Sequence, residues 1–124
     1  MTKVLVTDDE KNVVELIGFL LQKDGYDVVT AFDGKACLDK VQSEKPDLII
    51  LDIMMPIMDG YTVFTKLAEN DETRKIPIII LTAKGQMKDM FAMSSNIAAY
   101  MDKPFDPMEI RSKVREILDS RKKK

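Results

Sequence analysis

Short apolar runs alternate along the chain with longer stretches whose apolar residues recur at helical spacing. Val4-Leu5-Val6 is short and rich in β-branched residues, which predicts a first strand. From Asn12 to Lys23, Val13, Ile17, Leu20 and Leu21 share a helical face, and Gly25 ends that helix. Asp27 to Phe32, with Val28 and Val29, predicts a second strand. Gly34 to Ser43 predicts a helix carrying Cys37, Leu38 and Val41 on one side, and Pro46 prevents its continuation. Asp47 to Leu51 is a third strand, apolar on both faces from Leu48 onward. Asp59-Gly60 opens a helix with Val63, Phe64 and Leu67, and Pro77 introduces a fourth strand, Ile78-Ile79-Ile80-Leu81. A weaker helical pattern covers about Met87 to Ser94, and Ile97 to Met101 predicts a short fifth strand. Pro107 suits the first turn of a last helix, with Ile110, Val114, Ile117 and Leu118 inward.

Five strands alternating with five helices imply an α/β protein, a doubly wound parallel sheet with helices on both faces. The runs 48–51 and 78–81 lack in–out alternation, as central parallel strands should. Right-handed crossovers limit the topology. Ligands of such open sheets bind beyond the carboxyl ends of the strands. The residues just past each strand are therefore where chemistry is sought.

The 124 residues suffice for one domain with a core of its own, without disulfides or metals. Hydrophobic residues at 45% and charged residues at 32% exclude disorder for the bulk of the chain. No apolar run approaches the roughly 20 residues of a membrane span. The opening residues, MTKVLVTDDE, lack the apolar region and small-residue cleavage site of a signal peptide. A single cysteine offers no internal disulfide, so the expected location is the reducing cytoplasm, away from membranes. The chain has no histidine, which excludes Ser-His and Cys-His catalysis, histidine zinc sites and a phosphohistidine-carrier role. Residues 1–110 carry a net charge of −7 and residues 111–124 a net +5. The main body does not attract nucleic acid by charge, and no direct DNA binding is expected. Residues 1–119 are read as the domain. Residues 120–124, with Arg121-Lys122-Lys123-Lys124, are read as a basic tail, a solvated end or the start of a linker.

Asp8, Asp9 and Glu10 come after the first strand, Asp52 after the third, Thr82 after the fourth, and Lys103, then Pro104, after the fifth. Each has an ordinary structural reading. Asp8 or Asp9 would cap the first helix, Thr82 would serve a turn, and Lys103 would be a solvated charge. Their convergence on one sheet edge favours a site. Carboxylates crowded there repel, by about 1 kcal/mol in water and about 4 at an effective dielectric of 20 for a separation of about 4 Å. Either a pKa rises or a cation sits among them. Oxygen ligands without histidine or thiolate favour a hard ion, Mg²⁺ before Zn²⁺. A metal, an ammonium and a hydroxyl around one carboxylate suit a phosphoryl group, with a carboxylate as the nucleophile.

In these residues the chain resembles the receiver domains of bacterial two-component response regulators, from residue 3 to about 119. The motifs are Asp8-Asp9, the segment Asp52-Ile-Met-Met-Pro-Ile-Met-Asp-Gly60, Thr82-Ala83 and Lys103-Pro104-Phe105. The resemblance implies a flavodoxin-like fold with strand order 2-1-3-4-5. It implies that Asp52 is phosphorylated, with Mg²⁺ bound by Asp8, Asp9, Asp52 and the backbone carbonyl of Met54, Asp9 being a more direct ligand than Asp8. It also implies that Thr82 contacts the phosphoryl group, that Lys103 pairs with one of its oxygens, and that Tyr100, at the end of the fifth strand, is a rotamer switch. The Lys103–Pro104 bond is cis in that family. The implied donor is a sensor histidine kinase or a histidine phosphotransfer protein. The implied output is an effector or a homodimer, met through the 87–94 helix, the fifth strand and the last helix.

Some positions depart from the family pattern. Thr7 replaces an apolar or acidic residue and is expected to face a neighbouring helix. Asn96-Ile97-Ala98-Ala99-Tyr100 replaces the common Gly-Ala-Asp-Asp-Tyr, leaving the partner face less acidic. Met87, Met90 and Met93 are either core filler or an adaptable surface, and Cys37 is read as a small buried hydrophobe. Two other readings stay open. An aspartate-nucleophile phosphatase would carry a second acid where this chain has Met54, and would turn over external phosphoesters. A pseudo-receiver would not take label from a small phosphodonor.

Met54 and Lys84 flank the implied site where fast-hydrolysing members of the family often carry amides or acids. Hydrolysis needs a water in line behind phosphorus. Met54 offers no hydrogen bond to hold one, and Lys84 only donates. The phosphoryl group should therefore outlast that of chemotaxis-type regulators. Loss of label with time checks this, with faster decay expected in the Met54→Asn/Lys84→Glu double variant.

Overall fold

Strands that are apolar on both sides need cover above and below, and the helices of this chain supply it. The computed structural model describes residues 2–53, 58, 60–83, 97–103 and 106–122, with backbone only for Tyr61, Thr82, Ala83, Asp102, Lys103, Arg121 and Lys122. Its strands are β1 (Lys3–Thr7), β2 (Asp27–Ala31), β3 (Leu48–Asp52), β4 (Ile78–Ala83) and β5 (Ile97–Lys103). They form one parallel sheet in the order β2-β1-β3-β4-β5, the flavodoxin-like order that the family resemblance implies. Among the described residues there are four helices: α1 (Lys11–Lys23), α2 (Gly34–Glu44), α3 (Gly60–Glu69) and α4 (Pro107–Lys122). The helix expected over about 87–94 lies outside the described residues. None of the helices described is long and apolar enough to cross a membrane.

Strand alternation sorts the apolar side chains into two layers. Leu5, Ile49, Leu51, Ile78 and Ile80 face Cys37 and Val41 of α2 and Val63, Phe64 and Leu67 of α3. Val4, Val6, Leu48, Ile50, Ile79 and Leu81 face Val14, Ile17 and Leu21 of α1 and Ile110, Val114 and Leu118 of α4. Each large side chain buried this way contributes about 1.5–3 kcal/mol relative to exposure. On α1 the inward stripe uses Val14 and Gly18, while Val13 and Leu20 are half-buried. Val13 and Val14 are adjacent, and periodicity alone does not choose between them.

Element ends differ from the sequence reading for backbone reasons. β3, β4 and β5 run on into Asp52, Ala83 and Lys103, because a ladder continues while its hydrogen bonds do, whatever the side chains. β2 stops at Ala31, paired with Thr7. α2 extends to Glu44 and ends at Lys45, whose φ of +50° is left-handed. Pro46 disfavours the helical region for the residue before it. Between β4 and β5 the register shifts: Ile78 pairs with Ile97, but Ile79 pairs with Ala99, leaving Ala98 as the extra residue of a bulge. Cys37 is buried, and burial pushes its thiol up to about 11 although the Thr7 hydroxyl beside it pulls the other way. That keeps it protonated and inert. Thr7 is itself fully buried against α2, as expected.

A two-toothed ion pair joins α1 to α4. Arg111 donates from Nε to Asp24 Oδ2 at 2.9 Å and from Nη2 to Asp24 Oδ1 at 2.5 Å, with the Asp24 side chain only 8% exposed. The guanidinium holds the Asp24 carboxyl below its ordinary value. A lowered folded-state pKa adds stability above the unfolded value, lost as pH falls through the folded one. Asp24→Asn should therefore lower the melting temperature at pH 7. The deficit should close as pH falls below about 4, near the unfolded carboxylate value. Thermal melts of both proteins between pH 3 and 7 check this, and a deficit unchanged at the acid end would contradict it.

Candidate functional site

The carboxyl ends of β1 and β3 are adjacent because these strands pair in register up to Thr7 and Leu51. One residue further, Asp8 leaves the sheet beside Asp52, the last residue of β3. Asp9 comes next, in the β1–α1 turn. One carboxylate oxygen from each of Asp8, Asp9 and Asp52 can be chosen so that all lie within 4.8 Å of one another. Asp8 and Asp52 are buried and Asp9 is exposed. The pocket thus has two acids in its floor and one at its rim.

Neither Asp8 nor Asp9 serves as the cap of α1. The N-cap is Glu10, with no side-chain cap. Asp8 Oδ1 instead accepts the Glu10 N–H at 2.9 Å, while the Asp8 N–H donates to Ala31 O at 3.3 Å. These bonds fold the turn that presents Asp9. A side chain aimed at its own turn and pocket is a different use from capping, and it removes the simplest structural reading of the pair.

The remaining strand ends reach the same edge. Asp52 pairs with Leu81, so Thr82 lies one residue beyond it, and Thr82 pairs with Asp102 and Ala83 with Lys103. The backbone therefore brings Thr82 and Lys103 to the edge that holds the acids. Their side chains, the Met54 carbonyl, Lys84 and the Lys103–Pro104 peptide lie outside the described residues. Tyr100 is not at the end of its strand. It is the fourth of seven residues in β5, paired with Ile80 and partly buried against the α2–α3 layer. The strand is longer than its apolar run because Asp102 and Lys103 continue the ladder.

Gly60 is a site residue that motif reading passed over as a helix start. Its N–H donates to Ile53 O at 2.8 Å. A Cβ on Gly60 would lie 2.5 Å from Asp52 O and 2.6 Å from Ile53 Cα. The start of α3 thus rests on the backbone of Asp52, a contact only glycine permits. A glycine at a helix start, eight residues after a buried aspartate, is the signal available in sequence.

Three carboxylates at this separation suit a hard divalent ion. Oxygen donors alone, from a chain without histidine, are the ligand set of Mg²⁺ and unlike that of zinc. Such an edge, on a parallel sheet ordered 2-1-3-4-5, is the architecture of an α/β domain with an acid-lined, cation-binding site at its strand ends. The response regulator receiver domain family matches residues 4–115, and the chain belongs to that family.

The chain is 43% identical over 117 residues to the alkaline phosphatase synthesis transcriptional regulatory protein PhoP of Bacillus subtilis, covering 94% of this chain and 48% of that protein. It is 38% identical over 119 residues to the DNA-binding dual master transcriptional regulator RpaA of Synechocystis, covering 95% and 49%. The chain thus spans about half the length of the curated relatives it matches. Among solved structures, the chemotaxis response regulator CheY4 of Vibrio cholerae superposes with a TM-score of 0.86 at 29% identity, over 94% of this chain and 98% of that one. The response regulator TrrA of Thermotoga maritima, solved with Mg²⁺ and beryllofluoride, gives 0.80 at 36% identity, over 94% and 98%. The chain is the receiver of a two-component response regulator, a regulatory domain of a family that binds Mg²⁺ at its acidic pocket.

Proposed function

We propose that Asp52 accepts a phosphoryl group from the phosphohistidine of a sensor kinase or of a histidine phosphotransfer protein. The observation that supports this reading most directly is the burial of Asp52 beside Asp8 and Asp9 at the end of the central strand. An Asp52 carboxylate oxygen attacks phosphorus in line. The bond from phosphorus to the donor imidazole nitrogen breaks, and that nitrogen keeps the electron pair and takes up a proton. Asp8, Asp9, Asp52 and the Met54 carbonyl would hold Mg²⁺, which would neutralise phosphoryl oxygens. Lys103 pairs with a further oxygen and the Thr82 hydroxyl donates to another. The only reactions assigned to the chain are its own phosphorylation and dephosphorylation, in the cytoplasm, where ATP feeds the kinases.

The same event sets the output. A phosphoryl group on Asp52 draws Thr82 toward it, which vacates space for Tyr100 to turn further inward. The face expected of the 87–94 helix, β5 and α4 then redistributes between two states, a shift of only a few kcal/mol. An effector or a second receiver reads that face. The chain itself contacts no DNA.

Intact-mass analysis after incubation with a small phosphodonor and Mg²⁺ should show one phosphoryl group on the wild type and none on Asp52→Asn. Equal labelling of the variant would sink the assignment. Mg²⁺ should also stabilise the unphosphorylated chain by mass action, by about 2.7 kcal/mol at a hundred times its Kd. Thermal melts with and without millimolar Mg²⁺ should show a rise for wild type that is lost in Asp9→Ala. A wild-type melting temperature indifferent to Mg²⁺ would count against the metal site.

A further inference from the structure

Gly34, the first residue of α2, is buried at the point where α2, α3 and the chain beyond Asp52 meet. A Cβ there would run into the backbone oxygen of Met58, and would lie 2.8 Å from both Met58 Cβ and Val63 Cγ2. A backbone carbonyl cannot rotate aside as the end of a side chain does. Any larger residue at position 34 therefore moves Met58, or moves α2, by at least a few tenths of an ångström. The first turn of α2 is itself fixed. Asp33 accepts the Ala36 N–H at 2.8 Å on its side chain and the Cys37 N–H at 3.0 Å on its carbonyl. Met58 is further held by packing against the layer that contains Cys37, Val41 and Val63.

Gly60 grips the same stretch of chain from its other end, against Asp52 and Ile53. Met58 and Gly60 are two residues apart, and each is met by an approach that a side chain would block. We infer that Gly34 is a positioning residue for phosphotransfer: through Met58, the capped start of α2 helps fix the backbone that leaves Asp52. This rests on the reading of Asp52 as phosphoacceptor. Gly34 touches neither phosphorus nor metal, and its effect passes through the geometry of that backbone. In-line attack is sensitive to such geometry, since a displacement of about 1 Å can cost on the order of a hundredfold in rate.

The test compares Gly34→Ala with Val41→Ala, a cavity variant two turns further along the same helix that leaves the approach of Gly34 to the Met58 backbone unchanged. Three quantities are measured below the melting range of each protein: the labelling rate with acetyl phosphate, its dependence on donor concentration, and the Kd for Mg²⁺. Gly34→Ala should label about tenfold more slowly at saturating donor, within the range expected for sub-ångström displacement, and bind Mg²⁺ more weakly. Val41→Ala should lose melting temperature yet label at the wild-type rate. Asp33→Ala, which loosens the same turn without adding a clash, serves if Gly34→Ala does not fold, and should slow labelling in the same direction. Wild-type labelling rates in the folded position-34 variant, or in Asp33→Ala should that variant not fold, would overturn the inference while leaving the Asp52 assignment intact. So would slowing no greater than that of Val41→Ala. Absence of label on wild type would overturn the Asp52 assignment, and this inference with it.

Discussion

Three carboxylates, two of them buried and one exposed, meet at one edge of the sheet, and the repulsion among them is the constraint on which the site depends. Asp8 and Asp52 leave neighbouring strands whose backbones are held in register by a ladder. They cannot drift apart without breaking the sheet at its centre. Repulsion that is small in water grows several-fold at the effective dielectric of a protein. The pocket is therefore poised toward positive charge, and any ligand that changes its charge balance changes the energy of the whole strand edge. A signalling site needs that sensitivity, and an ordinary polar surface lacks it.

The apolar layers make the edge stiff enough to respond as a unit. β3 is buried along its full length, and β1 and β4 flank it with side chains packed above and below. Sites carried on such strands are held more tightly than sites carried on loops. The turn after β1 is folded by Asp8 itself, and the chain after Asp52 is met by glycines from two helices. Rigid floor and close-packed surround come from different parts of the sequence, yet they serve one geometry.

Much of this is legible in the sequence. Ile49 and Ile79 sit in runs too apolar to be half-exposed, and such runs mean central parallel strands. Once the strands are placed, Asp8, Asp52, Thr82 and Lys103 fall on one edge by counting. What counting does not reach is where backbone hydrogen bonding overrides side-chain pattern. The ladder carries β5 through Asp102 and Lys103, which leaves Tyr100 in the middle of its strand. The inward stripe of α1 takes Val14 over Val13 for reasons of packing against the sheet. Gly34 and Gly60 look like helix-start punctuation, because a close approach between distant segments leaves no mark in either segment alone.

The extra residue in β5 decides which side of the molecule its aromatic group joins. In a regular strand Ile97 and Ala99 would share a face. Here Ile97 packs with the α2–α3 layer and Ala99 with the α1–α4 layer, because Ala98 is unmatched in the ladder. Tyr100 consequently shares a side with Ile80 and Ile97. Counted without the bulge from Ile97, it would have pointed among the residues around Met101. Which layer the aromatic ring of the outer strand joins is thus a matter of odd and even numbering. Losing or gaining a single residue near position 98 would exchange the aromatic ring for an alanine or methionine at the same point, leaving the sheet intact but its two faces wired the other way round.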